Sequence, residues 1–181
     1  MCNLSALVAG LALTLFVGSA AFAATLTVTS AADTGAGSLR NTVASATSGD
    51  VIVFDASVTS ITLSSVISIN NNITISGPGI SSLTISGGST SGLFAVAGGS
   101  VTIQDLTMSS ALAVQGSGVS LTAGTATIQR CRLTGCNSNT TAFDGGAIRN
   151  GGGTLIVRDC LIENCANIAT GGGGGGIWLN A

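Results

Sequence analysis

The side chains best spaced to do chemistry are four cysteines in the second half of the chain. They form two C-x-x-x-x-C pairs, Cys131/Cys136 and Cys160/Cys165, displaced from one another by 29 residues. Four thiols allow three connectivities. If the two segments stack as neighbouring strands, Cys131 meets Cys160 and Cys136 meets Cys165. The strand spacing of ~4.8 Å then falls inside the disulfide window of ~4.4–6.8 Å. The same stack can instead hold inward-facing thiols that behave as small apolar groups. A third reading, all four thiolates around one zinc ion, sits at the edge of the usual ligand spacing, and no metal site is expected.

Carboxylates are the next candidates. Asp33, Asp50, Asp55, Asp105, Asp144, Asp159 and Glu163 are scattered along the chain. A polysaccharide hydrolase needs two or three acids clustered, and a lyase an acidic Ca²⁺ site beside a basic residue. Asp159 and Glu163 are the nearest pair in the repeats, but Cys160 and Ile162 take the inward positions around them. With no histidine, no Ser-His or Cys-His nucleophile can form. The glycines at 171–176 have no Lys-Ser/Thr partner and no strand–loop–helix setting, so they read as a turn and not a phosphate loop. No catalytic residue and no cofactor are therefore expected. Trp178 and Phe143 could offer a sugar-stacking platform, with a buried or capping role as the alternative.

What must position these residues is a repeat. Thr102-Ile-Gln-Asp-Leu-Thr-Met108, Thr127-Ile-Gln-Arg-Cys-Arg-Leu133 and Ile156-Val-Arg-Asp-Cys-Leu-Ile162 recur at steps of 25 and 29 residues. Units of near-constant length made of β-type segments predict a solenoid, in which each unit buries its apolar face on the next. Strands that alternate apolar and small polar residues begin at Val51-Ile-Val-Phe54. They continue through Ile61-Thr-Leu63, Ile73-Thr-Ile75, Leu83-Thr-Ile85, Val101-Thr-Ile103, Val119-Ser-Leu121 and Leu155-Ile-Val157. The alternation breaks at one place in each repeat: Ile103 to Leu106, Ile128 to Cys131, Val157 to Cys160. We read this as a corner between two strands of one coil. Ala126 and Ile128 then point inward before it, and Cys131 and Leu133 after it. Asp105, Arg130 and Asp159 would stack at the corner as a column of alternating charge. Asn70-Asn71-Asn72 reads as the start of an asparagine ladder at a turn.

Composition fits this picture. Only 7% of residues are charged and the net charge is −2, which leaves no basic patch for nucleic acid. With 45% hydrophobic residues the chain is not a disordered low-complexity segment. Residues 1–23 read as a secretory signal, an apolar run from Leu4 to Phe16 leading to Ala21-Phe22-Ala23, with a membrane anchor as the competing reading. No second apolar run of spanning length follows, so the mature chain should carry no transmembrane segment. Residues 24–49 should form an N-terminal cap. A strand, Thr25-Leu-Thr-Val-Thr29, precedes one short helix from Gly37 to Ala46, with Ser38 as N-cap, Leu39 and Val43 on one face and Gly49 as a stop. Residues 50–181 make about five coils of about 26 residues and a column ~24 Å long. The chain stops at Gly176-Ile-Trp-Leu-Asn-Ala181 without a capping segment, so a fragment lacking a C-terminal domain is expected, with a complete chain whose last rung is covered by a partner or by self-association as the alternative.

The opening (Thr25-Leu-Thr-Val-Thr29, Gly37-Ser-Leu-Arg40, Gly49-Asp-Val-Ile-Val-Phe54) resembles secreted bacterial right-handed parallel β-helix proteins of the pectate-lyase-like fold. The repeat resembles that of the polymorphic outer-membrane protein family, in which a GGA-[ILV] tetrapeptide follows an F-x-x-N element. Gly145-Gly146-Ala147-Ile148 matches, and Gly174-Gly175-Gly176-Ile177 matches with Gly for Ala. Leu133-Thr-Gly-Cys136 and Ile162-Glu-Asn-Cys165 stand where F-x-x-N would be. The resemblance implies an all-β, right-handed parallel β-helix, secreted or held at the cell surface as an adhesin-like passenger without catalysis. Its partners would be cell-surface glycan or protein. The alternatives are the N-terminal part of a carbohydrate-active β-helix enzyme, a lyase or hydrolase, and a glycan-binding module.

Overall fold

A computed structural model describes residues 23–114, 116–141, 145–170 and 175–180. The signal-like segment up to Phe22, with Cys2, lies outside these residues, as do Phe143, Asp144 and Gly174. The described chain is a parallel β-solenoid with one short helix.

It opens with β1 (Thr25–Val28) and α1 (Leu39–Ser45). The first coil contains β2 (Val51–Phe54), β3 (Ser60–Thr62) and β4 (Ile67–Ile69). The second contains β5 (Ile73–Ser76), β6 (Thr84–Ser86) and β7 (Phe94–Val96). The third contains β8 (Ser100–Gln104), β9 (Thr107–Ser109), β10 (Leu112–Ala113) and β11 (Val119–Leu121). The fourth contains β12 (Thr125–Gln129), β13 (Arg132–Thr134), β14 (Asn137–Ser138) and β15 (Ile148–Asn150). The fifth contains β16 (Thr154–Arg158), β17 (Leu161–Glu163) and β18 (Ile177–Leu179). Three parallel sheets run up the column, in the orders β1-β2-β5-β8-β12-β16, β3-β6-β9-β13-β17 and β4-β7-β11-β15-β18. The coils thus number five, as the sequence predicts, and β1 adds a sixth rung to the first sheet. The sequence reading passes over β7 and β15, whose runs are too short and too close to glycine to stand out. It also misses the lateral pair β10–β14, which forms where the third and fourth coils are long enough to bulge.

Register explains the core. Ile52, Ile75, Ile103 and Ile128 lie directly over one another. Ile61, Ile85, Met108 and Leu133 do the same in the second sheet, and Ile67, Phe94, Val119 and Ile148 in the third. All of these are buried. Ala126, Ile128, Cys131 and Leu133 are buried too, so the predicted corner geometry holds.

The corners are held by backbone conformation. Asp105, Arg130 and Asp159 have φ of 58°, 51° and 54°. A second corner one strand later repeats this at Ser110, Gly135 and Asn164, with φ of 46°, 61° and 53°. These are left-handed conformations, which cost most side chains about 1–2 kcal/mol and glycine nothing. Their recurrence at the same point of each coil turns the chain into the next sheet.

The base is tied by two carboxylates. Asp50 accepts from the Ala24 N–H at 2.8 Å, the Thr47 N–H at 2.8 Å and the Thr47 hydroxyl at 3.0 Å, which joins β1 to the segment after α1. Asp33 accepts from Arg40 Nη2 at 2.7 Å and from the Ser64 N–H and hydroxyl. Arg40 also donates to the carbonyls of Ser65 and Val66, so the cap is fastened to the first coil. The helix matches its predicted N-cap, with Ser38 Oγ accepting from the Asn41 N–H. Its end differs: Ala46, in an extended conformation, is the C-cap, three residues before Gly49. The asparagines at 70–72 form no ladder. Asn71 donates to the Ala46 carbonyl and Asn72 accepts from the Ser100 N–H, each bonding to backbone on a different rung.

Truncating Ile103 to alanine should cost about 2–5 kcal/mol, because closely stacked rungs leave little room to collapse, while Thr102→Ala on the outer face should change stability by less than about 0.5 kcal/mol. Urea denaturation of both variants measures this. Replacing Ser110 with valine should destabilise by about 1–2 kcal/mol relative to Ser110→Gly, since a β-branched side chain fits its φ poorly. Backbone hydrogen bonds to Asp50 hold its carboxyl below its ordinary value of 3.8. Hydrogen bonds from Ser64 and Arg40 do the same for Asp33, against the opposing effect of burial. Their contribution to stability is therefore complete above the unfolded value and is lost as pH falls through the lower folded one. Thermal melting should be flat between about pH 5 and 7 and should fall below about pH 4, with a smaller acid loss in Asp50→Asn.

Candidate functional site

The residues that could do chemistry gather along the corners that flank β13 and β17. Arg130 forks onto Asp105 across one rung, with Nε to Oδ1 and Nη2 to Oδ2 both at 2.7 Å. Asp159 is in register one rung further on and adds a longer-range attraction to Arg130. The predicted charge column is therefore present, with its hydrogen bonds on the Asp105 side. The Arg130 guanidinium lowers the Asp105 pKa, and Asp105 in turn raises that of Arg130. A shallow cavity of about 400 Å³ opens beside the column, lined by Ile80, Asp105, Arg130, Cys131, Asp159 and Leu161. Next to it on the second sheet, Arg132 Nε donates to Glu163 Oε1 at 2.7 Å.

The other described acids are structural. Asp33 and Asp50 tie the cap, and Asp55 accepts from the N–H and hydroxyl of Ser57. Asp105 and Asp159 stand two rungs apart, ~9.6 Å at the usual strand spacing, with Arg130 between them.

The thiols are ordered by the same register. Cys131 lies under Cys160 at the corner end of β13 and β17, and Cys136 under Cys165 at the other end. Cys131 and Cys136 are 2% and 0% exposed, while Cys160 and Cys165 on the last coil are half-buried. All four are free thiols in this structure. Each donates to a main-chain carbonyl, as Cys131 does to Gln129 at 3.3 Å and Cys165 to Glu163 at 3.2 Å. Because a strand separates Cys131 from Cys136, the four sulfurs do not converge, and the zinc reading fails on geometry. Among the described residues no group of three or more His, Cys, Asp or Glu could hold a metal ion.

The glycine tetrapeptide is explained by close approach. Ser117, Gly146 and Gly175 stack, as do Gly118, Ala147 and Gly176, through N–H donors that run from each rung to the next. A Cβ at Gly145 would lie 2.1 Å from the Ile148 carbonyl oxygen and 2.7 Å from Trp178 N, and one at Gly146 2.4 Å from the Gly175 oxygen. Gly145, Gly146, Ala147 and Ile148 thus form the turn that delivers β15, and Gly175, Gly176 and Ile177 repeat it on β18. The sequence reading missed an earlier copy, Gly116-Ser117-Gly118-Val119, which stacks on Gly145–Ile148. The 29-residue step between them was the available signal. That reading also missed the second corner column, although Ser110, Gly135 and Asn164 are spaced by the same 25 and 29 residues.

Trp178 lies on the outer face of the third sheet, with the Arg149 guanidinium carbon 5.2 Å from its ring centroid. A separate groove of about 290 Å³ on this sheet is apolar, walled by Val66, Leu93, Phe94, Ala113 and Val114. No helix among the described residues is long and apolar enough to cross a membrane.

A family model described as "right handed beta helix region" matches residues 65–181. No curated protein and no solved structure matches the chain. The match begins late in the first coil and takes in β4 to β18, both corner columns and the glycine turns just described. By its rungs and by this match, the chain belongs to the right-handed β-helix family.

Proposed function

We propose that the chain is a structural passenger, secreted or displayed at the cell surface, that acts without catalysis of its own. It presents the outer faces of its sheets to cell-surface glycan or protein. The observation that carries this reading is how the carboxylates are used. Asp33, Asp50, Asp55, Asp105 and Glu163 each accept hydrogen bonds that hold one part of the column to another or close a turn. Acids committed in this way build shape. The outer faces are rich in Ser, Thr, Asn and Gln, as in the ladder from Gln129 Nε2 to Gln104 Oε1 at 2.6 Å and from Gln104 Nε2 to Ser76 Oγ at 3.0 Å. Such a surface stays polar with few charges. The apolar run ending in Ala21-Phe22-Ala23 supports export, and the resemblance to outer-membrane passengers supports display.

The second reading, part of a carbohydrate-active protein, is favoured by the cavity beside Asp105, Arg130 and Asp159, where acid and base share one wall. Incubation of the purified chain with a panel of neutral and acidic polysaccharides separates the two. The passenger reading predicts no new reducing ends and no unsaturated products. Turnover that Asp105→Asn or Arg130→Gln abolishes would overturn it in favour of the enzyme. Expression in a bacterium with an outer membrane should yield an exported protein whose mature N-terminus is Ala24. Retention of the protein in the cytoplasm with Met1 intact would remove the export half of the proposal.

A further inference from the structure

Of the three connectivities open to the four thiols, the fold leaves one within reach. Within a coil, Cys131 and Cys136 are separated by β13, and Cys160 and Cys165 by β17, three-residue strands that alone span about 10 Å. The diagonal pairing, Cys131 with Cys165 and Cys136 with Cys160, is as long. Between coils the register sets Cys131 against Cys160 and Cys136 against Cys165. Their rung spacing of ~4.8 Å lies within the disulfide range.

The members of each pair are not equivalent. Cys131 and Cys136 are enclosed by the rungs on either side, whereas Cys160 and Cys165 sit on the outermost described coil and are half-buried. We propose that each stacked pair is a redox-active dithiol that closes into an inter-coil disulfide by exchange with a disulfide oxidant. Cys160 and Cys165 are the attacking sulfurs, and Cys131 and Cys136 the resolving ones. The inference is independent of the passenger reading.

Chemically, the Cys160 thiolate attacks one sulfur of the oxidant. The oxidant's S–S bond breaks, and one half leaves as a thiolate that takes up a proton. Cys131 then gives up its proton and attacks Cys160 Sγ, and the second half of the oxidant departs as a thiol. Two protein thiols are oxidised by two electrons while one oxidant disulfide is reduced to two thiols, so atoms and charge balance. Cys165 and Cys136 act in the same way. Electrostatics favour this order. The adjacent Cys131 thiol draws Cys160 down to about 6, and the adjacent Cys136 thiol draws Cys165 down to about 7. The partner sulfur, together with burial, pushes Cys131 and Cys136 up. At neutral pH the outer sulfur is therefore the nucleophile.

The test uses the full chain, purified reduced and then exposed to oxidised glutathione at about pH 7.5, with remaining thiols alkylated and peptides mapped by mass. The expected products are a 131–160 link and a 136–165 link, and Tm should rise by about 5–10 °C and fall back on reduction. Cys131→Ser should trap a stable glutathione adduct on Cys160 while the 136–165 link still forms. Cys136→Ser should trap one on Cys165 while the 131–160 link forms. The wild-type map needs no variant to fold, and either variant tests one pair alone. Links within a coil or on the diagonal, first adducts on Cys131 or Cys136, or four thiols still open to alkylation after exposure would each overturn the proposal.

Discussion

The structure depends on in-register parallel stacking. Each residue lies about 4.8 Å from its counterpart on the next coil, so its fitness is set by the residue one coil away more than by its chain neighbours. Inside, this favours like on like: isoleucine over isoleucine through β2, β5, β8 and β12. Outside, it favours ladders whose hydrogen bonds run along the column, as between Gln104 and Gln129. At the corners it allows a charge to face its opposite, as Arg130 faces Asp105. Where main chain meets main chain, it permits no side chain at all, which is why Gly145 and Gly146 are glycines.

Stacking also creates the difficulty that the N-terminal segment solves. A solenoid has ends, and an end exposes both apolar side chains and unpaired strand edges. Here β1 covers the first sheet and α1 lays Leu39, Thr42 and Val43 against the base. A lone helix of seven residues would not persist in water. It is held by its Ser38 cap and by the Asp33–Arg40 clamp onto the first coil. Polar groups here do what aliphatic burial does further up the column.

The functional candidates follow from the same geometry. A corner brings one residue per coil to the same edge, and the residue after the corner turns inward. Asp105, Arg130 and Asp159 are corner residues, and Cys131 and Cys160 are the inward residues that follow. One turn of the chain therefore sets a charged outer stripe beside a column of thiols. A catalytic acid pair would need two carboxylates at adjacent rungs or faces. The 25- and 29-residue steps place Arg130 between Asp105 and Asp159 instead.

Period-two alternation and a recurring heptapeptide were enough to read strands, coil number, inward residues at the corner and the thiol stacks, because a solenoid is close to one-dimensional and its contacts are local in units of one repeat. Ser38, Leu39 and Val43 marked the capping helix for the same reason: capping and helical spacing are local rules. Tertiary structure alone decided the rest. Whether the asparagines at 70–72 form a ladder depends on which carbonyl and amide each one meets on another rung, and Asn71 and Asn72 reach different ones. That Asp33 serves Ser64 while Asp50 serves Ala24 is a matter of how the cap folds back on the first coil. The separation of the four sulfurs into two distant pairs comes from the length of β13 and β17 as actually extended. Sequence spacing records how far apart residues are along the chain, whereas a metal site, a salt bridge or a disulfide depends on distances across it.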